Sequence, residues 1–295
     1  MRLRSGLLIG LFGLVVVLLG GWYFTIAIVL LTYIALLEFF RMAEFTGIRP
    51  ATKTTLFSCF IITISTYLEA IGFIDREIYN SILPICSVGI CTWLLLQPKS
   101  GTISDITASI FGLFYLGFLP SYWIKLRAIQ STINNSSDGI LSFENFSNST
   151  GLYLTLISCL LIVASDIGSY FIGKSFGKRA LSPISPSKTI EGLIGGIICS
   201  ISVATFFGFL LNWQNPFLIG ILYGILVSLM ALVGDLIESM MKRDAKIKDS
   251  GNFLPGHGGI LDRIDSYIFT PSVIYYVIII LNNFNQHIKL AKESL

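Results

Sequence analysis

Charge is scarce in this chain. Asp, Glu, Lys and Arg make up only 13% of its 295 residues, about half the share found in soluble domains, while 54% are hydrophobic. One soluble core cannot hide that excess, which excludes an ordinary globular enzyme. Histidine is scarcer still, with His257 and His287 only. A Ser-His-Asp hydrolase would have to use His257, and neither a nucleophile elbow nor a Walker-type nucleotide fold is expected. The five cysteines, Cys59, Cys86, Cys91, Cys159 and Cys199, all fall in apolar runs without Cys-x-x-Cys or Cys/His spacing, so they read as packing residues. Internal repeats and a separate polar domain are lacking too, and nothing points to a nucleic-acid partner.

What is present is a succession of long uncharged runs, each near the ~20 residues a helix needs to cross the bilayer. The class is an all-α polytopic membrane protein. From Ser5 to Leu37 there is no charge, and one helix of that length would reach about 50 Å, too long for one crossing. Gly20-Gly21 is expected to break it. The first run could imitate a signal peptide, but no polar mature domain follows, so a retained first span is expected. Further spans are predicted over 54–73, 79–96, 103–124, 151–173, 190–211, 216–240 and 264–283, giving about nine transmembrane helices. Functionally the chain divides into N-terminal helices with an external Ser/Asn-rich loop (1–150) and a C-terminal catalytic region (151–295).

Lys and Arg set orientation. With the N-terminus cytoplasmic, 15 of the 20 basic residues fall on inner segments and 5 on outer ones. Residues 174–190 and 242–263 then face the cytoplasm. The outer loop 128–150 holds four Asn-x-Ser/Thr sequons, at Asn134, Asn135, Asn145 and Asn148; it reads as a solvated, flexible loop.

Two inner segments carry the chemistry. In the first, Asp166 lies within a predicted span, where an ionised carboxylate is costly unless paired or facing water. It is a functional candidate, with structural pairing to a neighbouring helix as the alternative. Ser185-Pro186-Ser187-Lys188-Thr189-Ile190-Glu191-Gly192 follows, offering hydroxyls, amides and an ammonium just before a helix, a combination that suits phosphate and is also ordinary capping chemistry. In the second segment, helical spacing puts Asp235, Ser239 and Lys242 on one face, with Glu238 and Arg243 beside them. Gly256-His257-Gly258-Gly259 forms a turn whose amides can approach an anion. Asp262 and Asp265 open the last span one helical turn apart. Carboxylates, Lys/Arg and Gly turns together fit metal-assisted phosphoryl or nucleotidyl transfer. A transporter for a phosphorylated solute or a prenyl- or CDP-alcohol transferase would share some of these features, but neither paired half-repeats nor a companion acidic motif supports them.

The second segment, through Ser239, Met241, Lys242-Arg243, Lys248-Asp249, His257-Gly258-Gly259 and Asp262-Arg263-Ile264-Asp265, resembles the signature of the CDP-diacylglycerol synthases (phosphatidate cytidylyltransferases). The run from Asp166 to Gly192 is similar to a second block of that family. The resemblance covers roughly 160–270 and implies transfer of the cytidylyl group of CTP to phosphatidate, with an active site at the cytoplasmic ends of the C-terminal helices. It also implies a Mg²⁺ requirement and a paired-metal site whose carboxylates correspond to Asp235 and Asp262, with a second metal ion beside Mg²⁺. The candidate catalytic set is Asp235, Asp249, Asp262, Lys242 and Arg243. The candidate substrate-binding set is Asp166, Ser185, Lys188, Thr189, Glu191, His257, Gly258, Gly259 and Arg263. A homodimer is implied by resemblance alone. The expected location is a bacterial inner membrane, with a plastid membrane as the alternative.

Overall fold

A computed structural model describes residues 2–98, 100–129, 150–213, 215–251 and 258–293. The four sequons and His257 lie outside them, apart from Thr150 at the end of the last sequon. Among the described residues the chain is helical, with one isolated antiparallel bridge, Ala180 to Thr189. The elements are α1 (Arg2–Leu19), α2 (Gly21–Phe45), α3 (Thr52–Ala70), α4 (Arg76–Leu95), α5 (Ile103–Gly112), a π-helical turn (Leu113–Phe118), α6 (Leu119–Ala128), α7 (Thr150–Phe176), α8 (Ile190–Leu210), α9 (Pro216–Asp244), α10 (Leu261–Ile268) and α11 (Thr270–Glu293).

Seven helical stretches among the described residues are long and apolar enough to cross a membrane: 21–45, 76–95, 103–128, 150–176, 190–210, 216–244 and 261–281. The expectation of about nine included α1 and α3. Helices occupy both positions; α3 carries many hydroxyls and is not among the seven, and α1 runs over 18 residues with the apolar stretch Gly10–Leu19. The break at Gly20-Gly21 is present. Both glycines have positive φ, 64° and 51°, a region that glycine enters without steric cost. A Cβ on Gly20 would stand 2.9 Å from the Arg127 guanidinium, whose Nε donates to Val17 O.

Hydroxyls inside these apolar helices need an acceptor, because lipid supplies none. Thr32, Thr63, Thr66, Thr155 and Ser158 each return their proton to the carbonyl four residues earlier.

The chain forms two compact units, residues 1–128 with 234–268 and residues 129–233 with 269–295. In the first unit, α2 and α3 lie together with α5, the π turn and α6. One end of this bundle is tied by backbone donors to side chains of α5. Arg49 N donates to Asp105 Oδ1 at 2.6 Å and Ala51 N to Ser109 Oγ at 2.9 Å, while Asp105 also forms a capping box with Thr102. The opposite end is tied by Lys125, buried, 3.2 Å from Glu69 and 3.7 Å above the Tyr79 ring. The break between α10 and α11 has a local cause. Pro271 has no N–H to give Tyr267 O, and that carbonyl accepts from Trp123 Nε1 instead, at 2.9 Å.

The second unit is built on close contact of α7 with α8. Gly168, Gly195 and Gly196 leave no space for a Cβ against Cys199, Ile172 and Ser169 respectively, so the two backbones approach as small-residue stripes allow. Ser158 and Tyr223 hydroxyls meet at 2.7 Å, as do those of Ser165 and Ser228, joining α7 to α9.

The first unit yields a test of sidedness. Glu38 near the end of α2 bonds the segment after α9, whereas Arg76 starts α4 at the Lys125 end. Single cysteines at Arg49 and Lys246, in a background with the native cysteines replaced, should react with an impermeant maleimide from one side of sealed vesicles, and one at Arg76 from the other. Labelling of all three from one side would contradict the bundle.

Candidate active site

Helix α9 presents Asp235, Glu238, Ser239 and Lys242 at spacings of three and four, which puts them on neighbouring positions of one face. It is met by α10, whose Asp262 and Asp265 are one turn apart. The two helices approach at Gly234, where a Cβ would collide with the Asp265 carbonyl oxygen. Any larger residue there would push α10 away.

Asp235, Glu238 and Asp265 come together, each with a carboxylate oxygen within 4.8 Å of the others. Glu238 is 1% exposed, and its Oε1 is buried with no hydrogen-bond partner, a costly condition for a carboxylate oxygen. Its Oε2 pairs with Lys242 Nζ at 2.5 Å. Ser239 Oγ donates to Asp235 Oδ1 at 3.3 Å. Three carboxylates around one point, one with an unsatisfied oxygen, form the oxygen-rich donor set a hard divalent cation takes. These residues therefore fit a metal ion.

Asp262 lies beside this cluster. Lys242 Nζ donates to its Oδ1 at 2.8 Å, so one ammonium is shared by Glu238 and Asp262. Its Oδ2 accepts from Ser250 N, Ser250 Oγ and Gly259 N at 3.0, 3.0 and 2.8 Å. Asp262 thus ties the segment after α9 to the start of α10. Gly258, with φ 83°, supplies the turn anticipated there, and a Cβ on it would stand 2.8 Å from Asp262 Oδ2.

The neighbouring residues Lys242 and Arg243 diverge, as a 100° step on a helix requires. Lys242 turns into the acidic cluster; Arg243 is exposed, as are Asp249 and Arg263.

Two residues escaped the sequence reading. Glu38 on α2 is 3% exposed and accepts from Ser250 Oγ, Ile260 N and Leu261 N at 3.0, 3.0 and 2.8 Å. Its separation of more than 200 residues from those donors left no local signal. Tyr115, fully buried in the π-helical turn, stacks on Phe111 at 5.1 Å and stands within electrostatic reach of Asp265, Glu238 and Asp235. Such turns recur at functional sites.

The first sequence segment folds within the second unit. Asp166 is exposed on α7. Thr189 caps α8 by accepting from Gly192 N at 3.1 Å, and Glu191 Oε2 accepts from Lys178 N and Arg179 N at 3.1 and 3.3 Å. Leu181 N donates to Lys188 O and Lys188 N to Ser185 O. Ser185 is buried and Lys188 half-buried. These bonds shape the loop before α8, so Thr189 and Glu191 spend side-chain oxygens on it. The stretch Gly168 to Ser175 has the bare spacing of a phosphate loop, and Gly173-Lys174-Ser175-Phe176-Gly177 that of a nucleophile elbow. The first lies on α7 and the second runs one residue past its end, with Gly177 N bonded to Gly173 O. The helix consumes the amides that either motif would need to expose.

The fold and the cluster define an integral membrane protein with an acidic, lysine-bearing site between two helices. A family model described as "Cytidylyltransferase family" matches residues 1–281, and the chain belongs to that family. Among its relatives, a phosphatidate cytidylyltransferase of Synechocystis is 42% identical, with 90% of this chain and 91% of the relative covered. One from Bacillus subtilis is 32% identical over 94% and 96%. The Arabidopsis thaliana chloroplastic phosphatidate cytidylyltransferase 5 is 37% identical over 93% of this chain and 70% of its own.

The cluster predicts metal-dependent stability. Mg²⁺ at a hundred times its Kd should stabilise the purified protein by about 2.7 kcal/mol, read as a rise in melting temperature. Glu238→Gln and Asp265→Asn should each abolish the rise. An undiminished rise in both variants would place the metal elsewhere.

Proposed function

We propose that the chain transfers the cytidylyl group of CTP to phosphatidate, giving CDP-diacylglycerol and diphosphate for phospholipid synthesis, with Mg²⁺ as cofactor. The observation that carries the reading is the cluster of Asp235, Glu238 and Asp265 beside Lys242, in a chain whose relatives bear that activity in their names over nearly its whole length. In the reaction a phosphatidate phosphate oxygen bonds to the α-phosphorus of CTP as the bond from that phosphorus to the bridging oxygen breaks, and diphosphate leaves with the electron pair. The nucleophile is a phosphate monoester with a second pKa near 6, so it is mostly dianionic at pH 7 and needs no histidine base.

Two anionic reactants repel each other, and the site must offset that repulsion. Bound Mg²⁺ would supply charge neutralisation on the phosphates. Asp235, Glu238 and Asp265 would hold it, and Asp262, sharing Lys242 with Glu238, would be the carboxylate available to a second ion. Lys242, Arg243 and Arg263 bring positive charge to the phosphates, and the family resemblance adds Lys188 as a substrate-binding candidate. Asp249 is a supporting carboxylate and Gly258 and Gly259 contact substrate; the family resemblance adds Asp166, Ser185 and His257 as substrate-binding candidates. Because one reactant is a lipid and the other a soluble nucleotide, the reaction belongs at the cytoplasmic interface of the membrane. A bacterial inner membrane, with a plastid membrane as the alternative, is the location consistent with bacterial and chloroplastic relatives, and a homodimer rests on the family resemblance alone.

The direct test is purified protein with labelled CTP, phosphatidate and Mg²⁺, followed by extraction. Label should enter the organic phase as CDP-diacylglycerol, and Asp235→Asn and Asp262→Asn should each lose roughly a hundredfold or more in kcat, a magnitude typical of lost transition-state electrostatics. Arg243→Lys keeps the charge without the planar fork, and should raise KM. No label in lipid, or either Asn variant with wild-type turnover, would overturn the reading.

A further inference from the structure

We propose that Glu38 is a positioning residue for this reaction, one that caps α10 from a distant helix and, through the Ser250 hydroxyl, holds Asp262 in place. The inference rests on the cytidylyl-transfer reading for its kinetic part and on geometry alone for the rest. The first N–H groups of a helix have no partner within it. In α10 the Leu261 N–H, with that of Ile260 just before it, donates to the two oxygens of Glu38, so a carboxylate more than 200 residues away does what an N-cap side chain does locally. A negative charge at this end is also favoured by the helix dipole.

The same carboxylate grips the other end of the segment. Ser250 Oγ lies 3.0 Å from Glu38 Oε2 and 3.0 Å from Asp262 Oδ2. One hydroxyl has one proton, so it serves one carboxylate at a time and couples the two. Ser250 is 5% exposed, so water is largely kept from the bridge. Gly251 and Gly259 flank Glu38 so closely that a Cβ on either would collide with its carboxylate. Both ends of the 250–261 segment are therefore closed on Glu38. Asp262 and Asp265 stand on the helix it caps, so displacing Glu38 displaces both.

Glu38→Gln keeps the shape, removes the charge and turns an NH2 toward donors. Groups that orient ligand-bearing residues typically cost 10- to 100-fold when altered, so kcat should fall roughly 10- to 100-fold, and the Mg²⁺ concentration for half-maximal activity should rise. Ser250→Ala should lose less, and the double variant should lose about as much as Glu38→Gln alone, because both act through one bridge. Hydrogen exchange on the intact protein in detergent separates positioning from folding. Amides of 258–265 should exchange faster in Glu38→Gln, while peptides of α7 and α8 keep wild-type rates. Unchanged exchange over 258–265, wild-type kcat, or uniformly faster exchange throughout the chain would overturn the proposal. Should the wild-type protein make no CDP-diacylglycerol, the reaction is misassigned, and the exchange comparison still decides whether Glu38 holds the segment.

Discussion

An excess of buried and half-buried negative charge organises the first unit. Glu38, Asp235, Glu238, Asp262 and Asp265 gather where α2, α9 and α10 meet, and the ammonium of Lys242 touches Glu238 and Asp262. Removing carboxylates from water without compensation is expensive. The protein compensates in two ways. Glu38 and Asp262 are satisfied by backbone amides and the Ser250 hydroxyl. Asp235, Glu238 and Asp265 face one another, with Glu238 Oε1 unsatisfied, an arrangement that a divalent cation would satisfy. The first solution stiffens the segment after α9, and the second creates the place where phosphate chemistry can be supported.

Glycine makes that crowding possible. Gly234 lets α9 lie against the α10 backbone, and Gly251 and Gly259 let the segment close over Glu38. Because α10 sits against Gly234 on one side and is capped by Glu38 on the other, its two aspartates have little freedom. In a reaction whose catalysis is mainly positioning and charge neutralisation, that rigidity is the contribution the fold makes.

Much of this was legible in the residues. Uncharged runs located the helices, and Gly20-Gly21 located the first break, because hydropathy and backbone freedom act locally. Asp235 and Lys242 shared a face by helical spacing alone. The different surroundings of Asp262 and Asp265 were not readable. One turn apart, they look equivalent in sequence, yet Asp265 joins the carboxylate cluster and Asp262 ties the loop, because Ser250 and Gly259 donate to the latter. Glu38 was invisible for a simpler reason: its partners are set by the tertiary fold. Thr189 and Glu191, read as substrate-binding candidates, also hold the loop before α8, a local role that their capping-type spacing allowed.

The central claim is that the carboxylates of Asp235, Glu238 and Asp265 bind a divalent cation. An experimental structure of the protein with Mn²⁺ in place of Mg²⁺, recorded for anomalous scattering, tests it most directly. The account predicts a peak among these three carboxylates, within coordination distance of Glu238 Oε1. A Mn²⁺ peak elsewhere, with the three carboxylates bound only to protein groups, would contradict it.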